Sequence, residues 1–189
     1  MNIGLYFGSF NPIHTGHLII ASHVANTDLV QQVWFVVSPQ NPFKPAAGLL
    51  NEYDRLHLVN LAIGDDTRLR ASDVEFKLPR PSYTIDTLTY LSEKYPQHRF
   101  SIIMGSDGFQ NLAKWKNADL IMRDYPILVY NRPGFTVTDS LGAKLTILDA
   151  PLLNISATHI RNNIRDGKSI RFLVPDAVAE EILRAGFYK

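Results

Sequence analysis

The chain of 189 residues contains no cysteine. This absence excludes disulfide scaffolds, cysteine-ligated zinc, iron–sulfur clusters and thiol nucleophiles. An excess of one charge is also missing, because 19 basic and 18 acidic residues give a net charge of +1, so no broad surface for nucleic acid is expected. No stretch approaches the ~18 consecutive apolar residues of a membrane span, and no signal-peptide pattern is seen. We therefore expect a soluble cytoplasmic protein that binds neither nucleic acid nor membranes.

What the chain does contain is an ordinary globular composition. Hydrophobic residues make up 46% and charged residues 20%, which is typical of a folded domain long enough to bury its own core. No change of composition marks a domain boundary before about Leu152. We therefore predict a single domain over 1–189, in which the part from about residue 152 forms a small C-terminal helical appendage.

Apolar runs of strand length alternate with segments of helical spacing. The predicted strands are Ile3–Phe7, Val33–Ser38, Leu69–Phe76 (a weaker pattern), Phe100–Met104, Ile127–Tyr130 and Leu145–Leu148. The predicted helices are His17–Val24, Tyr53–Ile63, Thr84–Tyr95, Ser156–Arg165 and Pro175–Leu183. This alternation predicts an α/β fold, a Rossmann-like doubly wound parallel sheet. In such a sheet ligands bind outside the carboxyl ends of the strands.

The first candidate site is the stretch Gly8–His17 (Gly-Ser-Phe-Asn-Pro-Ile-His-Thr-Gly-His), which follows the first predicted strand. A strand, a glycine turn and a helix start form a setting that suits phosphate, and Gly8 and Gly16 permit close approach of the backbone. His14 and His17 lie on one helical turn, where imidazolium donors suit an oxyanion. A metal pair is the alternative, although no third ligand follows nearby. The stretch lacks the G-x-G-x-x-G of dinucleotide-binding folds.

The second candidate site opens a predicted helix at Asn154–Arg161. Ser156 and Thr158 can satisfy free amides at the helix start or contact an anion. Arg161 lies one turn further on, with a planar fork suited to phosphate oxygens. A capped surface helix is an equally good interpretation of this segment alone.

Further polar residues lie near strand ends and helix starts. Thr84 stands in a segment typical of helix capping, and Asp107 follows a predicted strand, where it can accept hydrogen bonds from ribose hydroxyls. Trp115 is consistent with core packing, which is the common role of tryptophan. Lys44 and Arg132, considered alone, are typical solvated cations.

The stretch Gly8–His17 resembles the G-x-F-x-P-x-H-x-G-H signature of the nucleotidyltransferase superfamily, in the form carried by bacterial nicotinate-mononucleotide adenylyltransferases. The second site resembles the I-S-S/A-T-x-I-R motif of the same family, with Ala157 where many relatives have serine. Similar residues extend from about 3 to 161, and Leu183–Lys189 also resembles family members. The resemblance therefore covers nearly the whole chain.

The resemblance implies roles for individual residues. For ATP it implies binding by Gly8, Ser9, Phe10, His14, Gly16, His17, Gly105, Asp107, Ile155, Ser156, Thr158 and Arg161. For the acceptor it implies binding by Lys44, Thr84, Trp115, Lys116 and Arg132. Gly105 and Asp107 would contact the adenosine. Thr84 and the Lys116 amide would meet the nicotinate carboxylate, and Trp115 would stack on the pyridine ring.

The activity implied by the resemblance is transfer of an adenylyl group from ATP to nicotinate mononucleotide in NAD biosynthesis. The acceptor phosphate would attack the α-phosphorus directly and release pyrophosphate, while His14, His17 and Arg161 stabilise charge. Mg²⁺ is expected on the ATP phosphates, without dedicated protein ligands.

Several alternatives stay open at this point. The acceptor could instead be nicotinamide mononucleotide or phosphopantetheine, or the reaction a cytidylyl transfer to a small phosphate. A nucleotide-binding protein without turnover is a further alternative. The sequence is compatible with a homo-oligomer as well as with a monomer.

Overall fold

The computed structural model describes residues 1–40 and 48–189 and contains a six-stranded parallel sheet. Its strands are β1 Asn2–Gly8, β2 Gln32–Val37, β3 Leu69–Ser72, β4 Arg99–Gly105, β5 Ile127–Tyr130 and β6 Leu145–Leu148. They lie side by side in the order β3-β2-β1-β4-β5-β6, and every neighbouring pair is parallel. The structure thus confirms the predicted α/β, Rossmann-like doubly wound sheet.

The two central strands are β1 and β4. Their interior positions are buried, and Leu5 of β1 lies opposite both Trp34 and Ile102 on its two neighbours. Such strands read as continuous apolar runs because helices cover both faces of the sheet. The strand order reverses between β1 and β4. At this switch point the loops that leave the two strands diverge and open a crevice at the carboxyl edge.

Seven α-helices lie within the described residues. They are α1 Thr15–Ala25, α2 Glu52–Ile63, α3 Thr84–Lys94, α4 Ser106–Phe109, α5 Ala118–Asp124, α6 Ala157–Arg165 and α7 Asp176–Ala185. Short 3₁₀ turns occur at Val74–Lys77 and Leu112–Lys114. Among the parts of the chain that the structure describes, no helix is both long and apolar enough to cross a membrane.

The helices bury their apolar sides in two cores, one on each face of the sheet. One core receives α1, α2, α6 and α7, so Ile160 and Ile182 of the C-terminal helices pack in the same cluster as Phe35 of β2. The other core receives α3, α4 and α5, with Leu88 and Phe109 among its members. The helices from residue 157 onward therefore pack directly against the sheet layer.

The prediction for Leu69–Phe76 is wrong in its second half. The strand ends at Ser72, and Val74–Lys77 forms a 3₁₀ turn. The apolar residues of this segment satisfy a strand pattern, but Glu75 is buried there with polar partners. The short helices α4 and α5 were not predicted, because elements of four and seven residues are too short to show helical periodicity.

Candidate active site

A cleft of about 560 Å³ opens beyond the carboxyl ends of β1 and β4. Most of the sequence-predicted site residues line it: Gly8, Ser9, Phe10, His14, His17, Thr84, Gly105, Asp107, Trp115, Lys116, Arg132, Ile155, Ser156, Thr158 and Arg161. Gly16 is not among the lining residues, and Lys44 lies outside the described residues. Residues from both ends of the chain thus share one cleft.

The loop that follows β1 folds back over the strand. Phe10 has a positive φ of 46°, and its ring is buried against Gly8. A Cβ at Gly8 would lie 2.8 Å from that ring, so only glycine leaves room for it. The Phe10 ring also meets the His17 ring edge-on, with centroids 5.1 Å apart. Gly8 thus leaves space for the Phe10 ring, and the Phe10 ring packs against His17.

The two histidines form a stacked pair at the start of α1. Their ring centroids are 3.6 Å apart, and the ring planes differ by 21°. His14 caps the helix, and its backbone N–H donates to Nδ1 of His17 at 3.3 Å. Gly16 lies behind this pair, where a Cβ would come within 3.1 Å of the His14 ring. Gly16 therefore makes room for the His14 ring rather than lining the cleft itself.

The protonation state of His14 differs from the imidazolium that its position at a helix start suggested. Burial lowers the pKa of His14 to about 4, and the Arg132 guanidinium adds to this effect. The His14 residue is 4% exposed, and its Nδ1 has no hydrogen-bond partner among the described residues. His14 is therefore neutral near pH 7 in the structure as it stands. A bound anion would favour its protonation.

The second motif reaches the cleft through the start of α6. The Ser156 hydroxyl accepts from the N–H of His159 at 3.2 Å, so it does cap the helix. Arg161 donates through Nη2 to the Thr158 hydroxyl at 3.2 Å and through Nη1 to the Asn11 carbonyl at 2.8 Å. The second of these bonds joins the two motifs across 150 residues of sequence.

On the opposite wall, α3 begins at Thr84 beside the segment that carries Trp115. Asp86 in the first turn of α3 pairs with Lys116 at 2.9 Å. The Lys116 ammonium also lies 4.9 Å from the centre of the Tyr83 ring. Trp115 is partly buried, so it both packs against the core and lines the cleft.

Between these walls, Asp107 and Arg132 follow β4 and β5. The Arg132 Nη1 atom lies 3.6 Å from Oδ2 of Asp107. The Arg132 backbone N–H donates to the Ser106 hydroxyl at 2.8 Å, which fixes the turn after β5 on the start of α4. The cleft therefore presents a carboxylate and a guanidinium side by side.

Sequence reasoning missed a fully buried arginine behind the first loop. The Arg55 guanidinium of α2 donates to four backbone carbonyls, those of Ser9 at 2.6 Å, Ser38 at 2.8 Å, Leu50 at 2.8 Å and Pro39 at 3.1 Å. No carboxylate lies within ion-pair distance of it among the described residues. Arg55 therefore ties the loop after β1 to the end of β2 and the start of α2.

A buried carboxylate in the cleft wall was missed as well. Glu75 accepts from the Ser82 hydroxyl at 2.7 Å and from the Thr87 hydroxyl at 2.9 Å. Burial raises the pKa of Glu75, while hydrogen bonds from Ser82, Ser38 and Thr87 oppose that rise. It is one of the residues that line the cleft.

Both residues left a signal in the sequence. Arg55 stands three and four positions before Leu58 and Val59, which places it on the buried face of α2. Glu75 stands between the apolar residues Val74 and Phe76, both within a predicted strand. A charged residue at a core position indicates a buried polar network.

Comparison with known proteins shows similarity over the whole chain. Residues 5–163 match the cytidylyltransferase-like family. A protein of Cytophaga hutchinsonii is 51% identical, and one of Flavobacterium psychrophilum is 49% identical. Each alignment covers 100% of this chain, together with 98% and 100% of the respective relative. Both relatives are named probable nicotinate-nucleotide adenylyltransferase.

A solved structure shows the same fold. It is the Plasmodium falciparum nicotinic acid mononucleotide adenylyltransferase complexed with NaAD, with a TM-score of 0.82 and 19% identity. The match covers 99% of this chain and 97% of that one. At this identity the likeness shows the fold alone.

Proposed function

The chain belongs to the nicotinate-nucleotide adenylyltransferase family of cytidylyltransferase-like proteins, and from this premise we propose that it transfers an adenylyl group from ATP to nicotinate mononucleotide. The products are nicotinate adenine dinucleotide and pyrophosphate. This reaction is a step in NAD biosynthesis. We propose the cytoplasm as the place where it works. The observation that carries the proposal is the bond from Arg161 to the Asn11 carbonyl, which brings both phosphate motifs to one cleft.

ATP fits the side of the cleft where these motifs meet. The N-termini of α1 and α6 both open there, and helix N-termini favour anions. Thr158 and Arg161 would hold the β- and γ-phosphates, with the Ser156 segment beside them. Asp107 lies across the cleft at the end of β4, where it can accept from the ribose hydroxyls.

The acceptor fits the opposite wall. Trp115 presents an aromatic face that can stack on a pyridine ring. Thr84 and the free amides of the first turn of α3 suit a carboxylate. Arg132 lies between the two walls and would meet the acceptor phosphate, as would Lys44.

The reaction we propose is a direct displacement. A phosphate oxygen of the acceptor forms a bond to the α-phosphorus of ATP, while the bond from that phosphorus to the bridging oxygen breaks and pyrophosphate leaves in line. The protein contributes positioning and charge stabilisation. His17 would donate to the α-phosphate, and His14, held against it by stacking, would assist the leaving oxygens.

ATP is expected to enter as its Mg²⁺ complex. The described residues contain no group of three or more His, Asp or Glu side chains arranged to hold a metal ion. Asp107 is engaged by Arg132, and Glu75 by hydroxyls. A magnesium ion carried by the triphosphate fits this donor set, because Mg²⁺ keeps several waters and binds through substrate phosphates.

The deciding experiment measures pyrophosphate release from ATP and Mg²⁺ with nicotinate mononucleotide, nicotinamide mononucleotide and phosphopantetheine in parallel. We expect strong release with the nicotinate form and much less with the other two. Equal release with both mononucleotides would contradict the carboxylate site at Thr84. ATP binding without release in any reaction would identify a binding protein without turnover.

A further inference from the structure

Glu75 is a buried acid in the cleft wall that the proposed reaction does not use. It is 2% exposed, and no cation pairs with it among the residues that the structure describes. Its carboxylate is instead satisfied by hydroxyl groups, Ser82 Oγ at 2.7 Å and Thr87 Oγ1 at 2.9 Å. Burial of a carboxylate costs free energy unless its oxygens are hydrogen-bonded. A site of this kind therefore calls for an explanation beyond packing.

The two donors flank the start of α3. Ser82 lies two positions before Thr84, and Thr87 lies three positions after it. Each donor is itself buried. Glu75 thus holds the backbone on both sides of Thr84, and it fixes where the free amides of the first helical turn point.

The same helical turn is connected to the other side of the acceptor wall. Asp86, two positions after Thr84, pairs with Lys116, which directly follows Trp115. A movement of the first turn of α3 would therefore reach Trp115 through a single ion pair. The link from Glu75 toward the first loop is longer: Ser38 also hydrogen-bonds to Glu75, and Arg55 joins the Ser38 carbonyl to the Ser9 carbonyl.

We propose that Glu75 is a positioning residue for the acceptor, which fixes the first turn of α3 and, through the Asp86–Lys116 pair, the wall that carries Trp115. This inference rests on the proposed function, because it assigns Glu75 to recognition of the acceptor. Its effect falls mainly on acceptor binding, since the Ser82 and Thr87 bonds lie beside α3. An ionised carboxylate can accept from both hydroxyls and carries no proton that would itself need an acceptor.

The test compares Glu75→Gln with the wild-type protein. Glutamine keeps the shape but has one oxygen and one NH₂ group, so one of the two hydroxyl bonds must reverse or break. We expect the KM for nicotinate mononucleotide to rise about tenfold, the size of one lost hydrogen bond to a charged group. The KM for ATP should change less than about twofold, because the bonds to Ser82 and Thr87 lie beside α3, whereas the loop on the ATP side is linked to Glu75 more remotely, through Ser38 and Arg55.

The matched control is Glu93→Gln, which makes the same change at an exposed position near the end of α3, the helix that Glu75 contacts at its start. It should leave both KM values unchanged. Thr87→Val keeps the side-chain volume of Thr87 and removes one donor, so it tests the network if Glu75→Gln folds poorly. Calorimetric titration with nicotinate mononucleotide alone gives a readout independent of turnover.

Four outcomes are distinguishable. A selective loss of acceptor affinity in Glu75→Gln and Thr87→Val supports the proposal. An equal rise in both KM values, or no change in either, overturns the proposal for Glu75. In both cases turnover by the wild-type protein still supports the proposed function. Absence of both acceptor binding and pyrophosphate release in the wild-type protein would instead overturn the proposed function, and the inference about Glu75 with it.

Discussion

Among single residues, His17 has the environment expected of a charge-stabilising donor. It stacks on His14, meets Phe10 edge-on and lines the cleft at the N-terminus of α1. Removing one donor of this type costs about 10²–10³ in kcat. We therefore expect His17→Ala to lose roughly that factor in pyrophosphate release while it stays folded by circular dichroism.

The control for this variant is His23→Ala, which changes a histidine in the last turn of the same helix, away from the cleft. It should retain wild-type turnover. Turnover close to the wild-type value in His17→Ala would remove the role that we assign to its imidazole.

The second prediction concerns His14 and the dependence of the free energy of unfolding on pH. Its pKa is about 4 in the folded protein against 6.5 ordinarily, so below pH 6.5 the unfolded chain takes up a proton that the folded chain refuses. Stability from neutral His14 is thus complete above pH 6.5 and is lost as the pH falls toward 4. The loss amounts to at most about 3 kcal/mol.

The measurement is urea unfolding of the wild-type protein and of His14→Gln between pH 7.5 and pH 4. The difference in the free energy of unfolding between the two should shift in favour of the variant as the pH falls. A difference that stays constant across this range would show that His14 is protonated alike in both states.

At the scale of secondary-structure elements, Arg55 decides how three chain segments meet. Its guanidinium binds the carbonyls of Ser9, Ser38 and Leu50, each at the end of a different segment. Because the Ser9 carbonyl is turned toward Arg55, the N–H of Phe10 on the same peptide plane is turned away from it. Arg55 thus sets the orientation of an amide in the loop that follows β1 and lines the cleft.

We expect Arg55→Met to lower the free energy of unfolding by about 3–5 kcal/mol, because buried carbonyls lose their donors. Arg55→Lys should recover part of this loss. Arg80→Met is the control, since the exposed Arg80 side chain pairs with Glu52 at the surface, and its loss should cost less than about 1 kcal/mol. Chemical denaturation measures all three, and equal losses for Arg55→Met and Arg80→Met would contradict the prediction.

These elements also show what sequence reasoning can reach. The strands at Ile127–Tyr130 and Leu145–Leu148 were predicted at their observed bounds. The first is an apolar run that is buried throughout, whereas the second is an edge strand whose middle residues are exposed. The motif residues were found because they are contiguous. Arg55 and Glu75 were missed because the sequence shows that each is a charged residue beside apolar ones but not which groups satisfy it. The Arg55 partners are backbone carbonyls, which any residue type supplies, and the Glu75 partners are ordinary hydroxyls near a helix start.

At the scale of the whole molecule, the C-terminal helices α6 and α7 pack against the sheet, and α6 contributes residues to the cleft. Ile160 and Ile182 pack in the core beneath the sheet, while Arg161 of the same segment reaches the first loop. That a single domain spans 1–189 stays a prediction, and the shared core on this face favours it. The roles assigned to individual site residues likewise stay predictions, which their common cleft supports.

Ligand binding should therefore stabilise the molecule as a whole, and Arg161 should carry much of that effect. A non-hydrolysable ATP analogue with Mg²⁺ at 100 times its Kd should add about 2.7 kcal/mol, which raises the Tm by roughly 5–10 °C for a chain of this size.

In Arg161→Ala the loss of a charge-assisted contact should weaken binding at least about tenfold. The same ligand concentration should then raise the Tm by several degrees less than in the wild-type protein. Arg165→Ala, four residues further along α6 and exposed, should keep the full shift. If thermal scans gave both variants the same shift, Arg161 would have no part in holding the triphosphate, and its bond to Asn11 would only connect the two ends of the chain.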